Sequence, residues 1–253
     1  MSAPLVIKIG GSTVGSTDTT YADIARMALG DDVPVVVHGG GSEASRWLEA
    51  MGIPSRFERG LRVTDERVLP VVIAVFAGLV NKRIVAAINA AGAAAVGLSG
   101  ADGRLLECRL SDPALGFVGE PVAVHPEAVN ALHGAGIIPV ISSLGYVPGT
   151  GPDQLVNVNA DTVAGNIAAA LGARGLVFLT DVEGVRGPDG LVAELPAATA
   201  SAWIEDGTIS GGMIPKVEAC LHAAGLGVPA RIVDGRAEGA LARSESSGTV
   251  VLP

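Results

Sequence analysis

The sequence predicts an α/β fold: an αβα sandwich around a mainly parallel open sheet, arranged in two lobes. Three observations predict it. Short apolar runs alternate with helical patterns along all 253 residues. Two of those runs end in glycine clusters, Gly10-Gly11 and Gly39-Gly40-Gly41, and ligands on open parallel sheets bind beyond the carboxyl ends of strands. Hydrophobic residues make up 49% of the chain but aromatics only 3%, with 35 glycines. The core must then be built from Val, Ile, Leu and Ala, which suits strands buried on both faces. The length is ample for a sizeable core in one large domain or two lobes.

Taken in order, residues 5–9 read as a strand and 19–29 as a helix. Residues 34–37 read as a second strand closed by His38 and the glycines, with Ser42 capping a helix over 42–51. The stretch 56–63 is extended or a hairpin. Thr64 is placed as the N-cap of a long helix running to about residue 90, with Asp65 and Glu66 favoured in its first turn. Pro70 kinks that helix or delays its start. A strand over 93–98, a hairpin within 104–124, a helix over 126–134 and a strand over 137–142 follow. Segment 145–158 is rich in Gly and Pro and reads as a loop ending in a short extended piece. An Ala-rich helix covers 160–171. The last third repeats the alternation: strand 176–179, helices 197–205 and 213–224, strands 231–233 and 249–252. A lobe boundary near 171–174 gives an N-terminal lobe over 1–172 and a C-terminal lobe over 173–253.

A net charge of −9 argues against a broad nucleic-acid surface. It leaves room for a phosphate site, which needs only a few cations and backbone N–H groups. Cys108 and Cys220 lack metal spacing and read as reduced thiols of an intracellular protein. The opening MSAPLVIKIGG has no basic segment of a signal peptide. The longest apolar stretch, 68–80, contains Pro70 and Gly78 and falls short of a membrane span. The expectation is a soluble, cytoplasmic protein with no nucleic-acid or membrane partner.

Five places carry chemistry. Lys8 lies inside an apolar strand, where a charge is costly without a partner. An edge lysine would snorkel to water, but Gly10 and Gly11, just beyond Ile9, allow close backbone approach and free N–H groups to face anions. His38-Gly39-Gly40-Gly41-Ser42 makes an anion cradle at a helix start. Arg62 sits in a loop before the long helix, and its fork of N–H donors suits a carboxylate. Asn157-Val158-Asn159-Ala160-Asp161 opens a helix; Asn159 serves as a cap, and the cluster exceeds what capping needs. Finally, Gly207-Thr208-Ile209-Ser210-Gly211-Gly212-Met213-Ile214-Pro215-Lys216 leads a glycine-rich loop into a helix through Pro215. Lys216 in that first turn opposes the helix dipole, which a bound anion would explain. The chain has no GxxxxGK[ST] and no GxGxxG after its first strand, so it is neither a P-loop protein nor a dinucleotide binder of that type. His38, His125, His133 and His222 show no triad or metal spacing. His38 borders the site without a proton-transfer role. Phosphoryl transfer to a carboxylate fits this set, because an ionised carboxylate needs no general base.

The motifs VIKIGGS, VVVHGGGSEAS, RGLRVTD, VNK, AVGLSGADG, GFVGE, IIPVIS, VNVNADTVAG, LTDVEGV, DGTISGGMIPKVEAC and IVDGR resemble the amino acid kinase family in order and over essentially the whole chain. Within it they are most similar to members that phosphorylate N-acetyl-L-glutamate in arginine biosynthesis. The resemblance implies the amino acid kinase fold, ATP as phosphoryl donor with Mg²⁺, and N-acetyl-L-glutamate as acceptor. It implies that Lys8 and Lys216 stabilise the transferring phosphoryl and that Asp161 orients both. Gly10, Gly11, Gly40 and Gly41 would contact phosphate and substrate, Arg62 would hold the α-carboxylate and Asn157 the amino-acid part. Asp181, Val182, Glu183, Gly184, Val185 and Arg186, with Thr208, Ile209 and Ser210, would line the nucleotide site. The N-terminal lobe would carry the amino acid and a homodimer contact on a helix; the C-terminal lobe would carry ATP. The chain starts directly at its first strand, whereas arginine-inhibited members carry an extra N-terminal helix that links dimers into hexamers, so feedback and hexamers are not expected. Residues 78–83, 99–104 and 247–251 are similar to a related group acting on aminoadipate or glutamate attached to an amino-group carrier protein. That group gives the alternative substrate.

Overall fold

A computed structural model describes residues 3–10, 19–149, 153–244 and 247–252. Its backbone is an eight-stranded sheet in the spatial order Glu194–Pro196, Thr249–Leu252, Ala230–Asp234, Gly175–Thr180, Leu5–Ile9, Val35–His38, Ile138–Ser142, Ala95–Ser99. All neighbours run parallel except Ala230–Asp234 and Thr249–Leu252, which are antiparallel. This is the mainly parallel α/β sheet that the alternating runs predict. The sheet is continuous across residue 172, since Leu5–Ile9 pairs along its length with Gly175–Thr180.

The first strand is central, and all five of its residues are buried. Side chains alternate between two cores, as the period of a strand requires. Val6, Val37, Ile141 and Phe178 face one core with Val163 and Ile167 of the helix Ala160–Ala170 and Val217 of the helix Ile214–Gly225. Ile7, Ile9, Val36 and Val140 face the other with Ile24 of Thr20–Leu29 and Ile84 and Ile88 of Asn81–Ala90. A third core joins Ala44 and Leu48 of the helix Gly41–Ala50 to Val68, Val72, Val75 and Phe76.

Three local expectations are corrected. Ser42 does not cap its helix: the helix starts at Gly41 behind Gly40, with no side-chain cap bond. Thr64 is not a cap either. Its hydroxyl donates to Arg62 O and accepts from Asn157 Nδ2, while the Asp65 carboxylate accepts from the N–H groups of Arg67 and Val68. Segment 145–158 ends in the expected extended piece, Gln154–Asn157, but its start is a strand and not loop. Leu144–Val147 and Gln154–Asn157 form an antiparallel pair in a second, four-stranded sheet with Leu106–Leu110 and Gly119–Val124. Gly145, one of the glycines of that segment, marks a close approach. A Cβ there would lie 2.5 Å from Cys108 Sγ.

The long helix runs Val68–Ala90, with Pro70 inside its first turn, where proline is tolerated. Its middle, Ala74–Val80, is π-helical. At 23 residues it is long and apolar enough to cross a membrane by length and composition, which 68–80 alone did not suggest. Here one side of it fills the third core, and Asn81 and Ile88 are buried further along. The short strand Glu194–Pro196 and the ribbon of Arg186–Gly187 with Gly190–Leu191 carry too few residues to show a period in the sequence.

Phe178 is the fully buried aromatic of the central strands. Phe178→Ala is expected to cost about 3–5 kcal/mol through lost transfer energy and a cavity. A lower denaturant midpoint at an unchanged m-value in equilibrium unfolding checks this.

Candidate active site

Two strand ends and two helix starts meet at the carboxyl edge of the central strands. Lys8 comes from the first strand and is 6% exposed. Asp161 comes from the first turn of Ala160–Ala170, a helix whose Asn159 cap accepts from the N–H groups of Asp161 and Thr162. Lys216 is the third residue of Ile214–Gly225, entered through Pro215. The carboxylate joins them. Lys8 Nζ lies 2.6 Å from Asp161 Oδ1, and Lys216 Nζ lies 3.0 Å from Oδ2. Residues far apart in the sequence therefore share one ion-pair centre.

The electrostatics follow from that contact. Burial pushes the Asp161 carboxyl up, but the Lys8 and Lys216 ammonium groups outweigh it and hold the group below its ordinary range. Burial pulls Lys8 below the ordinary lysine range, against the attraction of Asp161, and Lys216 adds to the lowering. The triad holds two positive charges against one negative, in a place largely removed from water.

Beside it lies a cavity of about 210 Å³, lined by Lys8, Asp161, Asn157, Arg62 and the glycines at 39–41. Gly40 is glycine for a steric reason: a Cβ there would sit 2.7 Å from the Phe76 ring. Gly41 has open space around it. Arg62 stacks over Phe57 with its guanidinium carbon 4.7 Å from the ring centroid. It donates to Ser55 Oγ, to Gly41 O at 2.7 Å and to Ser45 Oγ at 2.8 Å. The arginine thus braces the start of the helix Gly41–Ala50, and burial lowers its pKa. Asn157 donates to Thr64 Oγ1 at 3.0 Å and leaves its amide oxygen toward other partners.

The remaining expected residues lie apart from this cavity. Gly10 lies two residues after Lys8, and its N–H donates to Leu179 O at 3.3 Å. Gly11 lies outside the described residues. Asp181 follows the neighbouring central strand and is close enough to Lys8 to act on its charge. Val182 is exposed and Val185 buried; the N–H of Val185 donates to Thr249 Oγ1 at 2.8 Å. Gly184 approaches the same Thr249, and Glu183 pairs with Arg186 at 2.9 Å. Thr208 N donates to the Asp206 carboxylate, Ile209 N donates to Trp203 O, and Ser210 precedes the turn into the Lys216 helix.

Two residues escaped the sequence reading. Phe76 shapes the glycine turn from the long helix, a contact that no local pattern announces. Ser143 lines the cavity, is 1% exposed, and its Oγ has no hydrogen-bond partner among the described residues. A serine after an apolar strand carries no signal of that kind.

Comparisons with known proteins agree with one another. The family model described as "Amino acid kinase family" matches residues 3–234. Acetylglutamate kinase of Jannaschia sp. (strain CCS1) is 49% identical over 245 residues, covering 94% of this chain and 85% of that protein. The chloroplastic acetylglutamate kinase of Arabidopsis thaliana is 43% identical over 261 residues, covering 98% of this chain and 74% of that protein. The crystal structure of smu.665 from Streptococcus mutans UA159 superposes with a TM-score of 0.86 at 26% identity, covering 98% of each chain.

Asp161→Asn removes the shared charge and leaves two ammonium groups facing each other. The expected loss is about 3–5 kcal/mol of stability, the cost of stranding a buried charge. Chemical denaturation at neutral pH, where the wild-type carboxylate is ionised, measures it. A stability equal to wild type would contradict the shared ion pair.

Proposed function

The chain belongs to the amino acid kinase family, and from that premise we propose that it transfers the γ-phosphoryl group of ATP to the side-chain carboxylate of N-acetyl-L-glutamate. The products are ADP and N-acetyl-γ-glutamyl phosphate, an acyl phosphate of arginine biosynthesis. One observation carries the reading: Lys8 and Lys216 meet on Asp161 beside a cavity with a glycine turn. The acetylglutamate kinases at 43–49% identity over nearly the full chain support the substrate.

The chemistry follows from those charges. A substrate carboxylate is ionised at neutral pH, so it attacks without a base. A carboxylate oxygen forms the bond to the γ-phosphorus as the bond from phosphorus to the β-bridging oxygen breaks, and ADP leaves. Charge on the moving phosphoryl is met by Lys8 and Lys216, and Asp161 keeps both ammonium groups on one spot. Glycine N–H groups at 40 and 41 receive phosphate or substrate oxygens. The N–H of Gly10 is held by Leu179 O, so at that turn the backbone's part is close approach to the phosphates, with Gly11 in the phosphate role. The spare N–H groups of Arg62 hold the α-carboxylate and Asn157 the acylamino part. The stretch Asp181, Val182, Glu183, Gly184, Val185 and Arg186, with Thr208, Ile209 and Ser210, takes the nucleotide. On this reading 1–172 carries the amino acid and 173–253 carries ATP.

Both oxygens of Asp161 are taken by lysines, which fits Mg²⁺ entering on the nucleotide's phosphates rather than on this carboxylate. When bound, the ion neutralises phosphate charge. A homodimer is part of the proposal. The long helix leaves Pro70, Ala74 and Gly78 exposed in a row of small residues at i, i+4 and i+8, which suits close helix contact. Two buried, unpaired cysteines fit a reducing compartment such as the cytoplasm.

Incubation with ATP, Mg²⁺, N-acetyl-L-glutamate and hydroxylamine should trap the acyl phosphate as a hydroxamate. A signal only with carrier-linked glutamate or aminoadipate would overturn the substrate. Lys216→Ala should lower kcat by about a hundredfold or more while circular dichroism shows the fold intact; near-normal turnover would remove Lys216 from the mechanism.

A further inference from the structure

Behind the glycine turn, on the face of the sheet opposite Lys8, a buried chain of hydrogen bonds runs from the long helix to the turn. His38 ends the strand Val35–His38 and is 1% exposed. By strand alternation it shares the face of Val36, where Asn81–Ala90 packs. Its Nδ1 lies 2.7 Å from Gly39 O, and its Nε2 lies 3.0 Å from Asn81 Nδ2.

The tautomer of His38 follows from the partners of Asn81. Asn81 Nδ2 lies 2.9 Å from Val140 O and 3.3 Å from Leu98 O, and carbonyls only accept. At the other end, Lys82 Nζ lies 2.9 Å from Asn81 Oδ1, and an ammonium only donates. Both ends of the amide are therefore fixed the same way round. Nδ2 has two hydrogens and does not accept; its two shorter contacts, Val140 O at 2.9 Å and His38 Nε2 at 3.0 Å, take them, so His38 Nε2 accepts. The ring proton then sits on Nδ1 and is donated to Gly39 O. Burial pulls His38 down to about 4, its bond to Gly39 opposes, and Lys8 and Lys82 add to the lowering, so the ring stays neutral at working pH. Space for the amide is made by Gly97, where a Cβ would run into Asn81 Oδ1.

The consequence lies in one peptide plane. The Gly39 carbonyl and the Gly40 N–H belong to the same trans peptide and point in opposite directions. Holding the carbonyl back toward His38 aims the Gly40 N–H away from the helix face and toward the side of Lys8. We propose that His38 and Asn81 are positioning residues for phosphoryl transfer: the Asn81 amide locks His38 in its Nδ1–H tautomer, and that N–H pins the Gly39 carbonyl so that the glycine turn presents its N–H groups to the reacting oxygens. The effect on turnover rests on the kinase reading above; the tautomer and the pinned peptide do not.

Two variants separate positioning from packing. His38→Asn places an amide N–H near the position of Nδ1 and keeps a donor for Gly39. His38→Gln reaches Asn81 but leaves Gly39 O without its donor. With both folded by circular dichroism, His38→Asn should keep kcat within about threefold of wild type. His38→Gln should lose about tenfold or more, the scale of one lost preorganised donor, with KM for both substrates changed less than kcat. Independently of activity, nitrogen-15 NMR of the imidazoles should show His38 protonated on Nδ1 alone in the wild type. In Asn81→Leu it should show the two tautomers mixed. A wild-type His38 protonated on Nε2, or equal kcat in the Asn and Gln variants, overturns the proposal. Absence of hydroxamate formation by wild type would sink the substrate assignment, and the NMR result would still decide the tautomer.

Discussion

The site depends on a single carboxylate that serves two ammonium groups. Burying Lys8 alone in an apolar strand would cost several kcal/mol, about what any unpaired buried ion costs. Asp161 offsets that cost for Lys8 and also takes Lys216. The arrangement still ends with one positive charge in excess, at a place where a helix N-terminus adds more positive potential. A bound anion would complete the balance. In a chain of net charge −9, this pair of lysines on one carboxylate is a local excess of positive charge.

The sheet makes the meeting possible. Parallel strands end on the same edge, and each crossover brings a helix N-terminus back to that edge. Leu5–Ile9 lies in the middle, between Gly175–Thr180 and Val35–His38, so Lys8 is flanked by both strand ends that continue into the site. The two faces divide the work. Ala160–Ala170 and Ile214–Gly225 deliver Asp161 and Lys216 on one face. On the other, Asn81 reaches His38 and through it the glycine turn. Phe76, one turn earlier on the long helix, closes on Gly40. The helix that looks in sequence like an apolar rod is therefore also a support for the site.

Much of this is legible in the amino-acid sequence. Lys8 followed by two glycines, the glycines after His38, and Lys216 placed against its helix dipole each break a local rule, and such breaks mark sites. The strands and helices with full periods fall close to their expected bounds: helix 197–205 and strand 249–252 coincide with the observed Ala197–Glu205 and Thr249–Leu252. The differences arise at residues whose local meaning is reversed by a distant partner. Thr64 has the look of a cap and instead faces Asn157 across the fold. Gly145 lies in a stretch whose composition suggests a loop and instead makes room for Cys108 within a strand. Ser143 and Phe76 give no local sign, because their importance lies in what surrounds them.

Composition, period and glycine placement thus determined the α/β class and the residues with chemistry to offer, since both are properties of short stretches of chain. Which of those residues touch was decided only by the tertiary structure. Lys8 and Lys216 both reach Asp161, while Arg62 braces Gly41 and Ser45, because ion pairs and hydrogen bonds depend on distances of a few ångströms that strand order sets and sequence separation does not. The tautomer of His38 belongs to the same class. It follows from carbonyls on two other strands and an ammonium on the long helix, partners that meet only when the sheet and helix pack.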